Sequence, residues 1–357
     1  MQDTLTVYIG RFSPFHAGHA SVLRRALQTS DKVLVLIGSS GGPRTIKNPW
    51  NFEERLALIR KWVWEESELS PAEQARLHFA PLHDTIHDDA AWAERVKLAV
   101  AETTPRTETQ VRLTGSAKDS SAYYLKMFPE WELDLVEPEL APSGQPYHST
   151  EIRCGYLGIA PEWRDTPDDY GSGLKATEHF LRGFSTSRES AWLRLHREYH
   201  HIEAYKEDWA TAPYPPIFST VDAVVTHNSK VLMVRRKSAP GEGLLALPGG
   251  FVNQDETLFD AAIRELHEET NIDVSEEILR WTYEKRGIFD TPGRSLRGRT
   301  ITTAHLFDLH GWEAETPEVK GGDDAASAEW ISLDDLPGLR DQIYEDHLDI
   351  ILTMTNR

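Results

Sequence analysis

The chain has 357 residues, of which 39% are hydrophobic and 27% are charged. This composition is typical of ordered globular domains, and the length exceeds one ordinary hydrophobic core, so two domains are expected. The net charge of −19 argues against nucleic acid and anionic membranes as partners, because both favour basic surfaces. Small anionic ligands stay open, since they are captured locally by a few basic residues.

Cysteine usage and apolar runs bear on the cellular compartment. The single cysteine, Cys154, excludes an intrachain disulfide framework and argues against a thiolate metal site. Residues 1–10 lack a basic stretch followed by an apolar run, so no secretory signal is expected. The longest apolar run, residues 33–37, is far shorter than a membrane span. We therefore expect a cytoplasmic protein.

The first half of the chain alternates between strand-like and helix-like segments. Strands are predicted over residues 6–9, 33–37, 111–114 and 133–136, and helices over residues 18–27, 52–64 and 90–101. Residues 33–37 form a continuous β-branched and leucine run, typical of a strand buried on both faces. Such alternation predicts an α/β fold with a doubly wound parallel sheet.

A connector helix is predicted between the two halves. Thr186 and Glu189 match a capping-box pattern. Beyond them an apolar stripe recurs at intervals of three and four residues, formed by Trp192, Leu195, Tyr199, Ile202, Tyr205 and Trp209. Prolines at 213, 215 and 216 must end this helix. The predicted domains are therefore residues 1–182 and 213–357, joined by a docked connector over residues 183–212.

The second half has a different pattern. Strands are predicted over residues 218–226 and 230–236, around a turn at Asn228 and Ser229, and again over residues 301–309. Residues 258–269 have the pattern of a strong helix. Strands on both sides of one helix indicate an α/β sandwich.

A loop containing histidines and glycines follows the first predicted strand and opens a helix. Gly18 lets the backbone approach a phosphate closely. The helix N-terminus offers unpaired N–H groups and positive potential, and His16 and His19 can donate hydrogen bonds to phosphoryl oxygens. A lone histidine there would more often cap or pack, but H-x-G-H at this junction favours a phosphate-binding loop.

A second segment, residues 149–153, begins another helix far along the chain. Ser149 or Thr150 can cap it, and the hydroxyl and N–H groups form a further anion site. Arg153 adds a bidentate donor. Alone this segment would be an ordinary capped helix. Together with the H-x-G-H loop it predicts a nucleotide phosphate site.

At these two motifs the chain resembles the nucleotidyltransferase superfamily defined by H-x-G-H and S-T-x-x-R, whose fold is Rossmann-like. It is most similar to the archaeal-type nicotinamide mononucleotide (NMN) adenylyltransferases, over roughly residues 5–160. Further matching residues are 37–39, 48–50, Glu54, Arg55, Asp84, Asp89 and Trp92. His148 stands where relatives have serine or glycine, which is a mild departure.

The resemblance implies that ATP is a substrate, bound with Mg²⁺ or Mn²⁺, and it implies roles for individual residues. His16 and His19 would bind the ATP phosphates and stabilise the transition state, and Arg153 would act with them. Ser149 and Thr150 would help to hold the β- and γ-phosphates. The other implied substrate-binding residues are Gly10, Arg11, Phe12, Gly18, Gly38, Asp84, Asp89, Trp92, Gly115 and Lys118.

Within that set, the resemblance gives the nicotinamide ring particular partners. Trp92 would stack on the ring and Asp89 would contact its carboxamide. A packed core tryptophan is an equal alternative, since aromatic residues are common in cores. Gly115 and Lys118 follow a predicted strand, where such folds bind nucleotide at the carboxyl edge of the sheet.

A third motif lies in the second half, where Gly250 is followed by Glu256 and then by Arg264. Glu265, Glu268 and Glu269 come next, and their spacing of three and four places them on one helix face. Crowded like charges are destabilising unless cations bridge them, and Mg²⁺ or Mn²⁺ suits oxygen ligands. A solvated acidic face is the usual alternative, but the whole pattern argues against it.

This third motif resembles the Nudix box in almost every fixed position. The resemblance implies metal ligation by Gly250, Glu265, Glu268 and Glu269, with the three glutamates as catalytic residues. Asn271 stands where the family usually has glycine. Asparagine is the next best residue for the left-handed helix end required there, so the fold and the metal site are expected to survive.

A basic loop follows at Arg294, Arg297 and Arg299. Such a cluster could pair with a diphosphate or a terminal ribose, although a solvated loop is the alternative. The loop resembles that of ADP-ribose-type Nudix proteins, with Ser295 in the place of a common aspartate. The implied reaction is hydrolysis of ADP-ribose to AMP and ribose 5-phosphate.

Taken together, both halves resemble bifunctional NMN adenylyltransferase/Nudix hydrolases in the expected order. Three alternatives stay open from the sequence. The Nudix half could act as an ADP-ribose sensor without hydrolysis. Such regulators carry a DNA-binding tail, and the net negative charge of this chain argues against DNA binding. The transferase could use another acceptor nucleotide, and the Nudix half another diphosphate. A homo-oligomer is compatible with the sequence, which does not decide the oligomeric state.

Overall fold

The structure is a computed structural model that describes residues 3–104, 109–116, 124–161, 169–311 and 315–357. It divides into two compact units, Met1–His196 and Arg197–Arg357. This division falls inside the predicted connector. Lys118, one of the predicted nucleotide-binding residues, lies outside the described residues.

The first unit contains a five-stranded sheet and its flanking helices. The strands are β1 (Thr4–Gly10), β2 (Lys32–Ile37), β3 (Leu77–Pro81), β4 (Gln110–Gly115) and β5 (Glu132–Leu135). The helices are α1 (Ala17–Thr29), α2 (Phe52–Glu65), α3 (Pro71–Gln74), α4 (Asp89–Thr103), α5 (Ser149–Gly158) and α6 (Lys175–Ser187), followed by the first part of α7 (Glu189–Asp208). The strand order is β3-β2-β1-β4-β5.

All four strand pairs of this sheet are parallel, and helices cover both faces, so the predicted doubly wound sheet is confirmed. On one face Val33, Val35 and Ile37 pack with residues of α1 and α2. On the other face Leu34 and Leu36 pack with residues of α4. The continuous apolar run of β2 therefore serves two cores, because alternate side chains of a strand point to opposite faces.

The helix starts differ from the sequence prediction in two places. His148, and neither Ser149 nor Thr150, is the N-cap of α5, and its side chain makes no capping hydrogen bond. Thr186 is not an N-cap either, because it lies in the last turn of α6 and its hydroxyl donates to carbonyls one turn back. The capping-box prediction was wrong because the pattern occurs within α6, a helix that the sequence analysis did not predict.

The second unit contains the rest of α7 and a seven-stranded mixed sheet. The strands are β6 (Ile217–His227), β7 (Lys230–Arg236), β8 (Leu245–Ala246), β9 (Gly249–Phe251), β10 (Tyr283–Phe289), β11 (Arg299–Asp308) and β12 (Ala325–Ser332). The helices are α8 (Leu258–Thr270), α9 (Glu276–Trp281) and α10 (His347–Thr355), with a 3-10 helix at Leu336–Gln342. The main strand order is β10-β11-β6-β7-β12, while β8 pairs with β7 and β9 pairs with β6.

The predicted α/β/α sandwich is confirmed by what covers each face of this sheet. Ile263 and Leu266 of α8 pack on one face, and Ile350 and Ile351 of α10 pack on the other. The sheet is mixed because β6 runs parallel to β11 and antiparallel to β7. As expected, Asn271 ends α8 in the left-handed conformation, at a φ of 41°.

Both units contain residues of α7, which lies inside the predicted connector. In the first unit, Trp192 is buried against Tyr156, and His196 Nδ1 lies 2.8 Å from the carbonyl oxygen of Leu157. In the second unit, the Tyr205 ring contacts that of Phe218. In the stripe, Trp192, Leu195 and Ile202 are buried, while Trp209 is 45% exposed. Within the described ranges, no helix is long and apolar enough to cross a membrane.

Candidate functional site

The first candidate site is built on the two histidines at the start of α1. His16 is the buried N-cap residue, and its backbone N–H donates to His19 Nδ1 at 3.3 Å. The two rings stack with centroids 3.7 Å apart. A Cβ on Gly18 would lie only 3.1 Å from His16 Cε1, so glycine permits this close ring placement. Both imidazoles are therefore held together at a helix N-terminus, where the helix dipole favours an anion.

Two arginines with buried donor atoms, Arg153 and Arg11, add positive charge beside the histidines. Arg153 on α5 donates from Nη1 to the Ser13 carbonyl, and from Nη2 to Thr150 Oγ1 at 3.0 Å. Burial, together with the nearby charge of Arg11, lowers the pKa of Arg153 to about 10. Among the described residues, Arg153 Nε and Arg11 Nη1 are buried without a hydrogen-bond partner. Two mutually repelling guanidiniums with unused donors form an environment suited to an anion.

A network of backbone contacts holds the loop after β2 against the loop after β1. Gly38 donates its backbone N–H to the Gly10 carbonyl at 2.8 Å. Asp84 accepts from the Ser39 hydroxyl at 2.6 Å. Arg55, which is buried, donates to the carbonyls of Arg11 at 2.6 Å and Gly38 at 2.7 Å. Arg55 was matched in the sequence but not chosen as a site residue. Its contacts make it a positioning residue for both loops.

The other predicted residues of the first site have varied surroundings. The Phe12 ring is buried in the core, so Phe12 stays a binding candidate only through its backbone. Trp92 is half-buried, with its ring near those of Tyr124 and Phe128, which leaves both sequence interpretations open. Asp89 is exposed in the first turn of α4. Ser149 donates its hydroxyl to the Pro14 carbonyl at 3.1 Å, which ties α5 to the histidine loop.

Gly115 is the last residue of β4, at the carboxyl edge of the parallel sheet. A Cβ at this position would lie 3.2 Å from the Leu125 side chain. The glycine therefore allows the chain after the strand to pack closely against the sheet edge. Its role in nucleotide binding stays a prediction.

The second candidate site is organised by Arg264 on α8. Its guanidinium donates to both carboxylate oxygens of Glu256, at 2.6 and 2.9 Å. The same group donates to Glu265 and Glu268, each at 2.8 Å. One arginine therefore holds three carboxylates of the motif. This explains why the motif needs arginine at this position, since lysine lacks the planar fork.

Glu269 and Glu265 lie in a less polar environment. Glu269 is buried and accepts the Gly249 backbone N–H at 3.0 Å. Burial, together with the charge of Glu265, raises the pKa of Glu269 to about 8. Burial likewise raises the pKa of Glu265, and Glu268 and Asp323 add to this effect. A Cβ on Gly250 would lie 2.5 Å from Glu265 Oε1, so any larger residue here would displace the Glu265 carboxylate.

The carboxylates fit a divalent cation in their chemistry. All are hard oxygen donors, and a bound cation would offset the repulsion that raises the pKa values of Glu265 and Glu269. In the described ranges, however, no three His, Cys, Asp or Glu side chains are placed so that they could hold a metal ion together. Arg264 engages Glu265 and Glu268 in this structure. Metal ligation by Gly250 and the three glutamates therefore stays a prediction.

The three arginines of the basic loop have different surroundings, which corrects the expectation that all three could bind a diphosphate or a ribose. Arg294 is buried and forms a two-bond ion pair with buried Asp346, with both distances at 2.7 Å. It is therefore a structural residue in this state, not a free phosphate ligand. Arg299 donates to the Asp290 carbonyl. Arg297 lies over the Phe251 ring, beside the Nudix motif. Nothing in the sequence around Asp346 marked it as the partner of Arg294.

Comparisons with known proteins agree with this two-site arrangement. The cytidylyltransferase-like family model matches residues 7–154, and the NUDIX domain model matches residues 217–354. The nicotinamide/nicotinic acid mononucleotide adenylyltransferase of Acinetobacter baylyi is 38% identical over 151 residues, which are 41% of this chain and 76% of that protein. The ADP-ribose pyrophosphatase of Methanocaldococcus jannaschii is 35% identical over 131 residues, which are 36% of this chain and 71% of that protein.

A solved structure is similar over the full length. It is the bifunctional NMN adenylyltransferase/ADP ribose pyrophosphatase of Francisella tularensis, complexed with AMP and a Mn ion. Its TM-score is 0.87 at 35% identity, covering 100% of this chain and 99% of that one. The fold and the two sites thus define a two-domain enzyme with a nucleotidyltransferase unit and a Nudix unit. The chain belongs to the family of bifunctional NMN adenylyltransferase/ADP-ribose pyrophosphatases.

Proposed function

We propose that the chain transfers an adenylyl group from ATP to NMN in its first unit, and hydrolyses ADP-ribose in its second. The observation that carries this proposal is that one chain has both charged sites in a fold similar over its full length to a bifunctional relative. The stacked histidines beside buried Arg153 and half-buried Arg11 support the first activity. The buried glutamates of α8 support the second.

The transferase reaction needs charge neutralisation more than proton transfer. The phosphate of NMN is largely a dianion at neutral pH, since its second pKa is near ~6. It attacks the α-phosphorus of ATP in line, a new P–O bond forms, and pyrophosphate leaves with the electrons of the broken bond. NAD and pyrophosphate are the products. His16, His19 and Arg153 would bind phosphoryl oxygens and stabilise the developing negative charge.

The hydrolase reaction would use Glu265, Glu268, Glu269 and the Gly250 carbonyl to hold Mg²⁺ or Mn²⁺. When bound, such a cation supplies an activated water and neutralises the leaving group. The residues of this chain prepare the site. Arg264 holds Glu265 and Glu268 in place, and the Gly249 N–H orients Glu269. Water adds to one phosphorus of the diphosphate, and the bond between that phosphorus and the bridging oxygen breaks. The other phosphate leaves with the bridging oxygen and its electron pair, the water gives up its protons to solvent, and the products are AMP and ribose 5-phosphate.

The direct test is a substrate panel with the purified chain. ATP with Mg²⁺ is supplied with NMN, nicotinate mononucleotide or pantetheine phosphate. In separate assays ADP-ribose and other nucleoside diphosphates are supplied with Mg²⁺ or Mn²⁺. We expect NAD from NMN, and AMP from ADP-ribose. If no dinucleotide forms with NMN, the transferase half of the proposal is wrong. If the chain cleaves only a diphosphate other than ADP-ribose, the hydrolase half is wrong.

Several expectations about the cellular setting stay predictions. These are the cytoplasmic location, the absence of nucleic-acid and membrane partners, and any homo-oligomer. Mg²⁺ at the transferase site belongs with them, because it follows from the resemblance and from the charge of ATP.

A further inference from the structure

Two arginines of the second unit are held by aromatic rings. Arg236 ends β7, its guanidinium carbon lies 4.3 Å from the centroid of the Tyr344 ring, and its Nε donates to the Pro240 carbonyl at 2.7 Å. The guanidinium carbon of Arg297 lies 5.1 Å from the centroid of the Phe251 ring. A guanidinium lying on a ring gains cation–π attraction and loses freedom of orientation. Both groups are therefore oriented without a counter-ion.

Other arginines of the same unit are oriented by carboxylates instead. Arg264 binds three glutamates, Arg280 binds Asp260 and Glu276, and Arg294 binds Asp346. Within the described part of the chain, Arg236 and Arg297 have no carboxylate within ion-pair distance. In a chain with a net charge of −19, acidic partners are abundant. The lack of a carboxylate partner at these two arginines therefore suggests that they have a functional role.

The position of the two arginines near the Nudix motif indicates what this role is. The Arg297 guanidinium lies over the ring of Phe251, and Phe251 directly follows Gly250 of the Nudix motif. The charge of Arg236 acts on Glu269 and opposes the rise of its pKa that burial causes. Both arginine charges also act on Tyr344, where they oppose the rise of pKa caused by burial and by Glu345. Both cations therefore lie near Tyr344, and Arg236 also lies near the buried carboxylate of Glu269.

A second observation concerns an unused hydrogen-bond donor at the same place. Arg297 Nε is buried and has no hydrogen-bond partner among the described residues. A buried donor without a partner carries a desolvation cost. At a site beside hydrolytic carboxylates, an anionic ligand would supply the missing acceptor.

We propose that Arg236 and Arg297 form a two-arginine clamp for the phosphoryl oxygens of the nucleoside diphosphate, with Tyr344 and Phe251 as the rings that orient them. This inference rests on the proposed hydrolase function and adds Arg236 to its substrate-binding residues. The clamp holds the diphosphate beside Glu269, where cleavage is proposed. Arg236 and Arg297 are binding residues, and Tyr344 is a positioning residue.

The test compares variants of the full chain by KM and kcat for ADP-ribose with Mg²⁺, and by calorimetric binding of ADP-ribose in EDTA. Arg236→Gln and Arg297→Gln should each weaken binding and raise KM roughly 10- to 100-fold, as expected for a lost hydrogen bond to a charged group. Arg236→Lys should be intermediate, because charge remains but the fork is lost. Arg280→Gln is the matched control and should match the wild type.

The outcomes separate this inference from the proposed function. Unchanged KM and binding in folded Arg236→Gln would overturn the clamp, even if the wild type hydrolyses ADP-ribose. If the wild type cleaves no diphosphate, the proposed function fails, and calorimetry in EDTA still decides whether the clamp binds ADP-ribose. Where the melting temperature shows that Arg236→Gln is misfolded, Arg236→Lys decides instead. A lysine variant with wild-type KM and binding would then count against the planar clamp.

Discussion

A buried histidine under the Nudix helix should make the second unit sensitive to mild acid. His305 on β11 is buried, and within the described structure neither ring nitrogen has a hydrogen-bond partner. Its ring lies among those of Phe259 and Tyr283. Burial, together with the charge of Arg286, lowers the pKa of His305 from its ordinary value of 6.5 to about 4, while Asp222 opposes the shift.

The sign and size of the effect follow from proton binding. The unfolded chain protonates His305 below about pH 6.5, while the folded chain does so only near pH 4. Between these values the unfolded state binds more protons, so stability falls as the pH falls. Each pKa unit of difference between the folded and unfolded states corresponds to ~1.36 kcal/mol, so the free energy of unfolding falls by about 2 kcal/mol at pH 5. The variant His305→Leu should lack this loss.

The assay is hydrogen exchange read by mass spectrometry on peptides of β11, at pH 7.5 and pH 5, after correction for intrinsic exchange rates. The exposed His310 offers a matched control as His310→Gln. Wild type and control should lose opening free energy between the two pH values, and His305→Leu should lose about 2 kcal/mol less. Equal losses in all three proteins would refute the reasoning, as would a titration of His305 by NMR near pH 6.5.

Three further predictions concern single residues and fragments of the individual units. His19→Ala should lower NAD formation by at least ~10²-fold, the scale of one lost transition-state donor; near-normal turnover in a folded variant would contradict the transferase assignment. Arg294→Leu should cost about 3–5 kcal/mol of unfolding free energy, because it leaves Asp346 buried and unpaired; unchanged denaturant stability with a raised KM would instead support a ligand role. A fragment ending at residue 185 should make NAD but melt below one ending at residue 212, because only the longer fragment buries Trp192 against Tyr156; equal melting temperatures would mean that the connector adds nothing to this unit.

The sequence predicted the parts of the fold that have strong local signals. The continuous apolar run of β2 and the turn at Asn228 and Ser229 were visible, since buried strands and tight turns have their own residue preferences. Strand β3 was missed because its residues are only half-buried, which weakens the pattern. Helix α6 was missed although it carries a buried apolar stripe, because the capping pattern at its end drew the prediction to a later start.

The candidate sites show the same division. The histidine loop and the carboxylates of α8 were predicted because their spacing is local and their chemistry is specific. The pairing of Arg294 with Asp346 could not be predicted, since the two residues are far apart in sequence and only the fold brings them together. The same holds for Arg236, whose place beside Glu269 depends on how β7 and α8 pack. The charges in the sequence therefore indicated a basic loop. They did not show which of its arginines could bind a ligand.

The central claim is that one chain carries two independent activities, and Glu269→Gln tests it most directly. The substitution keeps the shape of the side chain and an acceptor for the Gly249 N–H, but removes one charge proposed to hold the metal ion. NAD synthesis and AMP release from ADP-ribose are measured on the same preparation, with the wild type alongside. We predict that the variant loses most AMP release and keeps nearly all NAD synthesis. Wild type that binds ADP-ribose tightly but releases no AMP with Mg²⁺ or Mn²⁺ would contradict the claim and identify the second unit as a sensor.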